Sequence, residues 1–310
     1  MIELKKTSDL DKDLLVDQIR EQFAKIEQLK YRRTLLEFFD DQGKFLGDNV
    51  FETTFKLRNG DAPLVYEVSG PYDAVSKEYA TIARVYYRAE LQFECDMKSG
   101  IFQRTAAMVW LYLDTLKHKP VKILLIGAGK VALQTAAYIK HFSPALESMD
   151  YQDLTQKMDF ENQLQKLGLA SRYLSNPDLS MYDTIILATN TNKCIIHEGN
   201  IPSIKLGSVV VSLCTTSQSG EISKEIYGRD DVNIFFDYDL SKTFTEDMRK
   251  VNDLGYLEDV FYFRDIIQGQ KEFDLGSKIN IVRLTGTPIQ NVAVIDLLLG
   301  HESPVQKAEP

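Results

Sequence analysis

The feature that most constrains the fold is the segment VKILLIGAGKVA, at residues 121–132 of this 310-residue chain. An apolar run of strand length ends directly at Gly127, and a helical pattern begins after Gly129. In a dinucleotide-binding turn the first glycine permits a tight bend, and the second lets the backbone approach a pyrophosphate. A small third residue, here Ala132, lets the helix pack on the strand. The segment therefore predicts a nucleotide-binding turn, with a tight turn that holds no ligand as the alternative.

Downstream of this turn, strand patterns and helix patterns alternate. The strand pattern ESMDYQDL precedes the helix pattern TQKMDFENQLQKLG, and more β-rich runs follow: TIILAT, SVVVSLC and VNIFFDYD. Strands that alternate with helices predict a doubly wound parallel sheet, so the expected fold class is α/β of the Rossmann type. The run TPIQNVAVIDLLLG predicts a last apolar helix with a proline at its start, where proline is tolerated.

The N-terminal part of the chain has a different pattern. Residues 11–28 predict an amphipathic helix. A hairpin is predicted for TLLEFF and FLGDNVFETTF, with DDQGK at its corner. PLVYEVSG and TIARVYYRAELQFE extend it into an aromatic-rich antiparallel or mixed sheet with one covered face. A helix, IFQRTAAMVWLYLDTLKH, and then Pro120 separate this sheet from the glycine turn.

An acidic residue after the second predicted strand of the alternating region favours one cofactor. Asp153 lies 24 residues after Gly129 (153 − 129). A carboxylate there accepts hydrogen bonds from the adenosine ribose and repels a 2′-phosphate, and the nearest cation is Lys157. We therefore expect NAD rather than NADP. The alternatives are that Asp153 is a helix N-cap, or that Asp150 is the acid at the strand end.

Charge and cysteine content exclude other classes of function. The net charge is −9 with a pI of about 5.1, which argues against general nucleic-acid binding and against binding to anionic membranes. The cysteines lie far apart and the histidines are scattered, so we expect neither a metal site nor a disulfide framework. The acidic, polar N-terminus is no signal peptide and no apolar run reaches membrane-span length, so a cytoplasmic protein is expected.

Several motifs together, in this order, resemble the ornithine cyclodeaminase and mu-crystallin family. They cover about residues 99–299 and are GIFQRTAAMVW, ILLIGAGKVALQTAAYI, TIILATNTNKCII, GSVVVSLCTTSQSGEIS, VNIFFDYDL and INIVRLTGTPIQNVAVIDLLL. The resemblance implies a Rossmann dinucleotide-binding domain at residues 120–287. It also implies an N-terminal α/β substrate and dimerisation domain at residues 1–119, joined by the C-terminal helix at 288–310, and a homodimer.

For substrate chemistry, the resemblance points to two residues. Arg104 matches an arginine with which the family holds a substrate carboxylate, a task that suits a planar guanidinium. Asp237 matches an aspartate near the substrate amine, where an anion would stabilise an iminium or ammonium group. The alternatives are a surface or interdomain salt bridge for Arg104 and a strand-end acid that caps the next helix for Asp237.

For the cofactor, the resemblance and the turn point to a larger set. These residues are Thr105, Gly127, Ala128, Gly129, Lys130, Val131, Asp153, Thr189, Thr285 and Gly286. The alternative for Thr105 is a helix N-cap. For Thr189, Thr285 and Gly286 the alternative is ordinary turn chemistry.

The N-terminal part departs from the family pattern. The family's catalytic lysine has no clean copy; Lys56 has suitable spacing, Lys77 is its rival, and an exposed strand lysine is the alternative for each. Arg32 or Arg33 precedes Lys56 where the family has another arginine, and we assign substrate binding to Arg32. The family's closing aspartate is Asn291 in this chain.

With NAD expected from Asp153, the family resemblance implies an NAD-dependent oxidoreductase that acts at the α-carbon C–N bond of an amino acid or its imine, as a dehydrogenase or a ketimine reductase. Its small-molecule partners would be an amino acid, a keto acid or an imine. The first alternative is a mu-crystallin-like protein that binds the dinucleotide but has lost the chemistry. The others are an amino-acid cyclodeaminase and a Rossmann reductase of another kind.

Overall fold

The computed structural model of the protein describes residues 5–6, 10–26, 29–39, 45–58, 61–73, 78–79, 81–189, 194–213, 221–237, 253, 255 and 260–300. The chain divides into two compact units, Met1–Arg104 with Thr287–Pro310, and Thr105–Gly286. This division lies inside the helix Lys98–Thr115, whereas the domains expected from the sequence are residues 1–119 with 288–310 and residues 120–287.

Strands alternate with helices through most of the second unit, whereas the first unit is mainly β. The strands are β1 (Lys5–Lys6), β2 (Leu29–Phe39), β3 (Phe45–Arg58), β4 (Asp61–Asp73), β5 (Glu78–Tyr79), β6 (Ile82–Tyr87), β7 (Glu90–Asp96), β8 (Ile123–Ile126), β9 (Ser148–Gln152), β10 (Ala170–Tyr173), β11 (Thr184–Leu187), β12 (Val209–Ser212), β13 (Val232–Phe236), β14 (Val260–Tyr262) and β15 (Ile279–Arg283). The α-helices are α1 (Lys12–Ala24), α2 (Lys98–Thr115), α3 (Lys130–Phe142), α4 (Met158–Lys166), α5 (Lys224–Tyr227), α6 (Phe263–Ile267) and α7 (Pro288–Gly300). Short 3₁₀ turns cover Leu179–Met181 and Glu198–Ser203.

The first unit is a sheet with a pair of helices packed against two of its strands. Its described strands form a seven-stranded sheet in the order β1-β7-β6-β4-β3-β2, with β5 beside β4. β1 pairs parallel with β7, and the other pairs are antiparallel. Helices α1 and α7 pack on each other, and α7 contacts β2 and β3. The predicted hairpin is confirmed as β2 and β3, while its DDQGK corner lies outside the described residues.

The N-terminal helix begins where the sequence indicates and ends earlier than predicted. Asp11 is its N-cap, since Asp11 Oδ1 accepts a hydrogen bond from Leu14 N at 3.0 Å. Its buried residues include Leu15, Ile19 and Phe23, which follow helical spacing. The helix ends at Ala24, whereas the prediction extended to residue 28.

The second unit contains the parallel sheet predicted from the alternating pattern. Its described strands form an eight-stranded sheet in the order β10-β9-β8-β11-β12-β15-β13-β14, and every pair is parallel. Strands β8, β11, β12, β13 and β15 are buried along their whole length, as expected for a sheet covered on both faces. The chain runs outward from β8 through β9 to β10 and then returns to β11 on the other side. The carboxyl ends of β8 and β11 therefore form the switch point at which such sheets bind ligands.

Among the described residues, no helix combines the length and apolar character needed to cross a membrane.

Candidate functional site

The glycine turn lies at the carboxyl end of β8. Gly127 has φ +103°, and its N–H donates to Gln152 O of the neighbouring β9 at 2.8 Å. A Cβ added at this position would lie 2.4 Å from Ala188 O, in the backbone that follows β11. Only glycine therefore fits, both because of its backbone conformation and because of this close approach.

Gly129 is required by nothing in the described packing. It is exposed and is the N-cap of α3, with φ −90°, and an added Cβ would meet no described atom within 4 Å. Ala128 beside it is half-buried. The open approach leads to the start of α3, where Lys130 and Val131 are the first residues. An open helix N-terminus without a Cβ in the way fits a pyrophosphate group.

The same helix start is held firmly on the sheet. Leu133 N donates to Gly129 O at 3.1 Å, which is the first backbone hydrogen bond of α3. The N–H groups ahead of it, those of Val131 and Ala132 included, therefore have no acceptor within the helix. Ala132 is fully buried, as expected for the small residue that lets the helix pack on the strand.

Asp153 is the first residue after β9, at the same edge of the sheet as the turn. It is half-buried, and its Oδ1 accepts a hydrogen bond from Leu154 N at 2.6 Å. Lys157 is the N-cap of α4, so Asp153 does not cap that helix. Its carboxylate is placed at the strand end, as a ribose-binding acid requires.

Asp150, the alternative acid, lies inside β9, and its carboxylate is engaged in hydrogen bonds within the protein. Its Oδ2 accepts hydrogen bonds from Arg172 Nη2 of β10 at 2.7 Å and from Tyr182 Oη at 2.8 Å. Burial, and then the hydrogen bond to Asp150, raise the pKa of Tyr182 to about 12. The Asp150 carboxylate therefore holds neighbouring strands together.

Thr189 follows β11 and lies directly against the glycine turn. Its Cγ2 is 3.3 Å from the position that a Cβ on Gly127 would occupy. Thr189 Oγ1 and Thr189 N donate to Glu221 Oε1 at 2.6 and 3.3 Å. Ser212 Oγ at the end of β12 donates to Glu221 Oε2 at 2.7 Å.

Asp237, Thr285 and Gly286 form one cluster after β13 and β15. The buried Asp237 carboxylate accepts hydrogen bonds from Thr285 N at 3.0 and 3.1 Å, from Thr285 Oγ1 at 2.9 Å and from Gly286 N at 3.2 Å. Gly286 has φ +72°, which favours glycine. The Asp237 carboxylate thus caps the turn after β15. Most of the residues that follow Asp237 lie outside the described part of the chain.

A tyrosine of α2 lies near this cluster. Burial raises the pKa of Tyr112 well above its ordinary value, and the negative charges of Asp237 and Asp265 raise it further. The Tyr112 ring lies 4.6 Å from the ring of Phe263, between centroids. The phenol is therefore neutral at any ordinary pH.

In the first unit, Arg104 is buried on α2. Its Nη1 donates to Gln290 Oε1 of α7 at 2.8 Å, which is a contact with a neutral amide. Thr105 is the next residue of α2. Because α2 begins at Lys98, Thr105 is well inside the helix and the N-cap alternative is wrong.

Lys56 lies on β3 and is held by α7. Lys56 Nζ is 2.5 Å from Asp296 Oδ2, and its side chain is 26% exposed, so it is not the exposed strand lysine of the alternative. Tyr66 Oη donates to Asp296 Oδ1 at 2.6 Å, and Gln22 Nε2 donates to Asp296 Oδ2 at 2.9 Å. One carboxylate of α7 thus fixes side chains from α1, β3 and β4.

A second polar pair lies between β3 and α7. Asn291 Nδ2 donates to Glu52 Oε2 at 2.5 Å, and both side chains are buried. Arg32 lies on β2 opposite Thr53, but its side chain lies outside what the structure describes. Lys77, the rival lysine, also lies outside the described residues.

Sequence reasoning missed the partners of the predicted residues. Among these partners are Glu52 for Asn291, Gln290 for Arg104 and Asp296 for Lys56. Asp296 carried a usable signal, because it is an acid in an otherwise apolar helix run and a buried acid needs a partner. The others have no local signal, since their contacts join distant parts of the chain.

Solved structures of known proteins have a fold similar to that of this chain. No protein-family model matches the sequence, and no curated protein matches it. A probable ornithine cyclodeaminase from Bordetella pertussis Tohama I is similar with a TM-score of 0.79 and 14% identity, over 97% of this chain and 98% of that chain.

Two further solved structures are similar to the same degree. Δ¹-pyrroline-2-carboxylate reductase of Thermococcus litoralis, in complex with NADH and L-proline, has a TM-score of 0.79 and 16% identity, over 97% of this chain and 98% of that chain. An archaeal alanine dehydrogenase dimer with bound NAD has a TM-score of 0.78 and 15% identity, over 94% and 91%. The resemblance inferred from the sequence motifs is thus confirmed at the level of the fold, and this chain has the fold of these three proteins.

Proposed function

We propose that the protein is an NAD-dependent oxidoreductase acting at the α-carbon C–N bond of an amino acid or its imine. The observation that carries this proposal is the open start of α3 at Gly129, at the switch point of a parallel sheet, with Asp153 at the end of the adjacent strand. Two proteins with the same fold support it, the reductase with NADH and L-proline and the alanine dehydrogenase with NAD.

In the dinucleotide half, backbone groups and one acid would do the binding. The N–H groups at the start of α3, from Lys130 and Val131 onward, would face the pyrophosphate. Asp153 would accept hydrogen bonds from the adenosine ribose and repel the 2′-phosphate of NADP. The bound cofactor supplies hydride to the imine carbon, or accepts it from the α-carbon in the reverse direction. Thr189 would contact its nicotinamide half.

Cofactor contacts are also proposed for other residues of the second unit. Thr105 would bind phosphate through its hydroxyl group. Thr285 and Gly286 would border the nicotinamide, and Asp237 holds their turn in place. The buried Asp237 anion would stabilise a positively charged substrate nitrogen.

In the first unit, the substrate would meet charged groups that the fold already orients. Arg104, positioned by Gln290, would pair with the substrate carboxylate, aided by Arg32. Lys56, positioned by Asp296 and Tyr66, would donate a proton to the substrate in the reductive direction and take it back in the oxidative direction.

Substitution of Lys56 tests this assignment. In Lys56→Ala we expect turnover to fall at least ~100-fold, because general acid–base groups contribute about that much, while the Kd for NADH stays within about twofold of wild type. Lys30→Ala is the matched control, since Lys30 is an exposed lysine on the neighbouring β2. Retained turnover in Lys56→Ala would remove Lys56 from the catalytic machinery.

A second candidate function is dinucleotide binding without chemistry. It is favoured by the ion pair of Lys56 with Asp296, which engages the proposed acid, and by Asn291 in place of an aspartate. Such a protein would bind NADH tightly, but none of the substrates would cause it to oxidise NADH. A cyclodeaminase would instead release ammonia with no net consumption of NADH.

We further propose a homodimer, as in the alanine dehydrogenase dimer of the same fold. Residues 1–119 with 288–310 would supply substrate and dimer contacts, and residues 120–287 would hold the dinucleotide. Light scattering at micromolar concentration tests this, and a monomeric mass would contradict it. A cytoplasmic location and the lack of nucleic-acid or membrane partners stay predictions.

A further inference from the structure

A buried glutamate lies under the carboxyl edge of the parallel sheet. Glu221 is 0% exposed, and acids are almost never fully buried unless they are paired. Its two carboxylate oxygens face different strands, because Oε1 accepts hydrogen bonds from Thr189 after β11 and Oε2 accepts one from Ser212 at the end of β12. The Glu221 side chain therefore joins two adjacent strand ends.

The Glu221 backbone holds the same region from a second direction. Ile195 N and Ile196 N both donate to Glu221 O, at 2.7 and 2.9 Å. Ser223 N donates to Ile196 O at 2.9 Å. Glu221 thus fixes the chain both before and after residues 190–193, through its carboxylate at Thr189 and through its carbonyl oxygen at Ile195.

A buried cation completes the network on the next strand. Arg283 at the end of β15 is fully buried, and its Nη1 donates to both Ser212 O and Ser212 Oγ at 3.1 Å. Ser212 therefore bridges a buried anion and a buried cation. Such a network is expensive to desolvate and is therefore weak evidence for a purely stabilising role.

The network lies where one half of a bound dinucleotide would be. The pyrophosphate would be at Gly129 and the adenosine ribose at Asp153 beyond β9. The other half must then extend across the switch point, over the ends of β11 and β12. Thr189 and Ser212 are the residues at those ends, and Thr189 also packs against Gly127.

We infer that Glu221 is a positioning residue for the nicotinamide half of the cofactor, acting through Thr189. Its carboxylate fixes both the backbone N–H and the hydroxyl group of Thr189, so the surface under the nicotinamide is held in one conformation. Glu221 itself does not touch the cofactor. The inference rests on the proposed NAD binding. It assigns a role to Glu221, which is not among the proposed cofactor contacts.

A comparison of two ligands tests the inference. ADP-ribose keeps the adenosine, the pyrophosphate and the second ribose of NADH but lacks the nicotinamide. In Glu221→Ala we expect the Kd for NADH to rise about tenfold, equivalent to the loss of one well-made hydrogen bond, while the Kd for ADP-ribose stays within about twofold. Glu198→Ala is the matched control, because Glu198 is an exposed acid of the same part of the chain.

Two further variants keep the test decisive if Glu221→Ala does not fold. Thr189→Val removes the hydroxyl group alone and should show the same selective loss of NADH affinity. Glu221→Gln should restore binding, because the amide oxygen can accept both hydrogen bonds from Thr189 and the Ser212 hydroxyl group can rotate to accept from the amide. Equal weakening of both ligands, or of neither, would overturn the inference.

The same titrations distinguish an error in the proposed NAD binding from an error in the role of Glu221. If wild-type protein binds neither NADH nor ADP-ribose, NAD binding itself is wrong and the inference falls with it. If wild-type protein binds both and the variants show no selective loss, only the role of Glu221 is wrong.

Discussion

At the scale of single residues, the two glycines of the GAG turn are needed for different reasons. Gly127 has a positive φ and faces a backbone oxygen, so Gly127→Ala should destabilise the fold by more than about 2 kcal/mol. Gly129 has a φ that alanine adopts and open space beside it. Gly129→Ala should therefore cost less than about 1 kcal/mol of stability but weaken NADH binding at least ~10-fold.

Urea unfolding and NADH titration of the two variants check this prediction. The pair controls itself, because each variant adds the same methyl group within the same turn. If Gly129→Ala binds NADH as wild type does, a pyrophosphate does not approach the start of α3.

The positions of candidate site residues with a local signal were predictable, and contacts that join distant parts of the chain were not. The turn and Asp153 follow from spacing along a short segment, and the structure places both at one edge of the sheet. The contact between Lys56 and Asp296 joins residues 240 positions apart. No local pattern predicts such a contact, so the sequence alone could not distinguish a catalytic Lys56 from an exposed strand lysine.

At the scale of elements, β3 inverts the usual pattern of a half-covered strand. Alternation normally buries the aromatic residues, yet Glu52 and Thr54 are buried and Phe55 is 40% exposed. The reason lies in α7, which carries Asn291 and Asp296 as partners for β3. Sequence-level rules are expected to fail in this way at functional sites.

This inversion predicts a pH-dependent effect of changing Asn291. In Asn291→Asp the new carboxylate and that of Glu52 would share a buried site, which should destabilise the protein by about 1–3 kcal/mol at neutral pH. The deficit should shrink as the pH falls, because one shared proton relieves the repulsion. Urea unfolding at several pH values measures it.

A double variant is the control for that experiment. In Glu52→Gln with Asn291→Asp, the donor and the acceptor exchange places, and at least half of the lost stability should return. A double variant as unstable as Asn291→Asp alone would show that repulsion was not the cause.

A histidine three residues after the end of α2 gives a second pH effect. Burial lowers the pKa of His118, and the Asp183 charge opposes this only in part. The ring nitrogen Nε2 lies 2.9 Å from Thr184 Oγ1 at the start of β11. Because the pKa is lower in the folded state, the neutral His118 ring contributes fully to the free energy of unfolding above the ordinary pKa of about 6.5. This contribution is lost as the pH falls through the folded-state pKa.

We therefore expect His118→Gln to flatten the dependence of unfolding free energy on pH below neutrality. Denaturant unfolding between pH 7 and about pH 5 measures this slope. Parallel slopes for wild type and variant would mean that His118 titrates alike in the folded and unfolded states.

Elements with strong apolar runs were predicted, and weak ones were missed. The central parallel strands follow from continuous apolar runs, and they are buried along their whole length. Strand β10 (ASRY) has no apolar run, and its residues are exposed or half-buried. Its place in the sheet depends on its pairing with β9, and the residue pattern of one strand does not predict its partner.

At the scale of the whole molecule, we propose that the second unit binds the dinucleotide and that Arg104 and Lys56 of the first unit contact the substrate. The chain contains one tryptophan, Trp110, which is stacked on Phe142 at the end of α3 with ring centroids 5.0 Å apart. The first residues of α3 are the proposed phosphate site. Trp110 therefore contacts the opposite end of that helix.

The proposed oxidoreductase function is tested most directly by a fluorescence titration of the purified protein with NADH and with NADPH, followed by a panel of α-keto acids with amines. We expect tight binding of NADH, weaker binding of NADPH because of Asp153, and oxidation of NADH in at least one mixture. Binding of neither nucleotide would contradict the proposed function, because the turn from Gly127 to Gly129 would then only connect a strand to a helix.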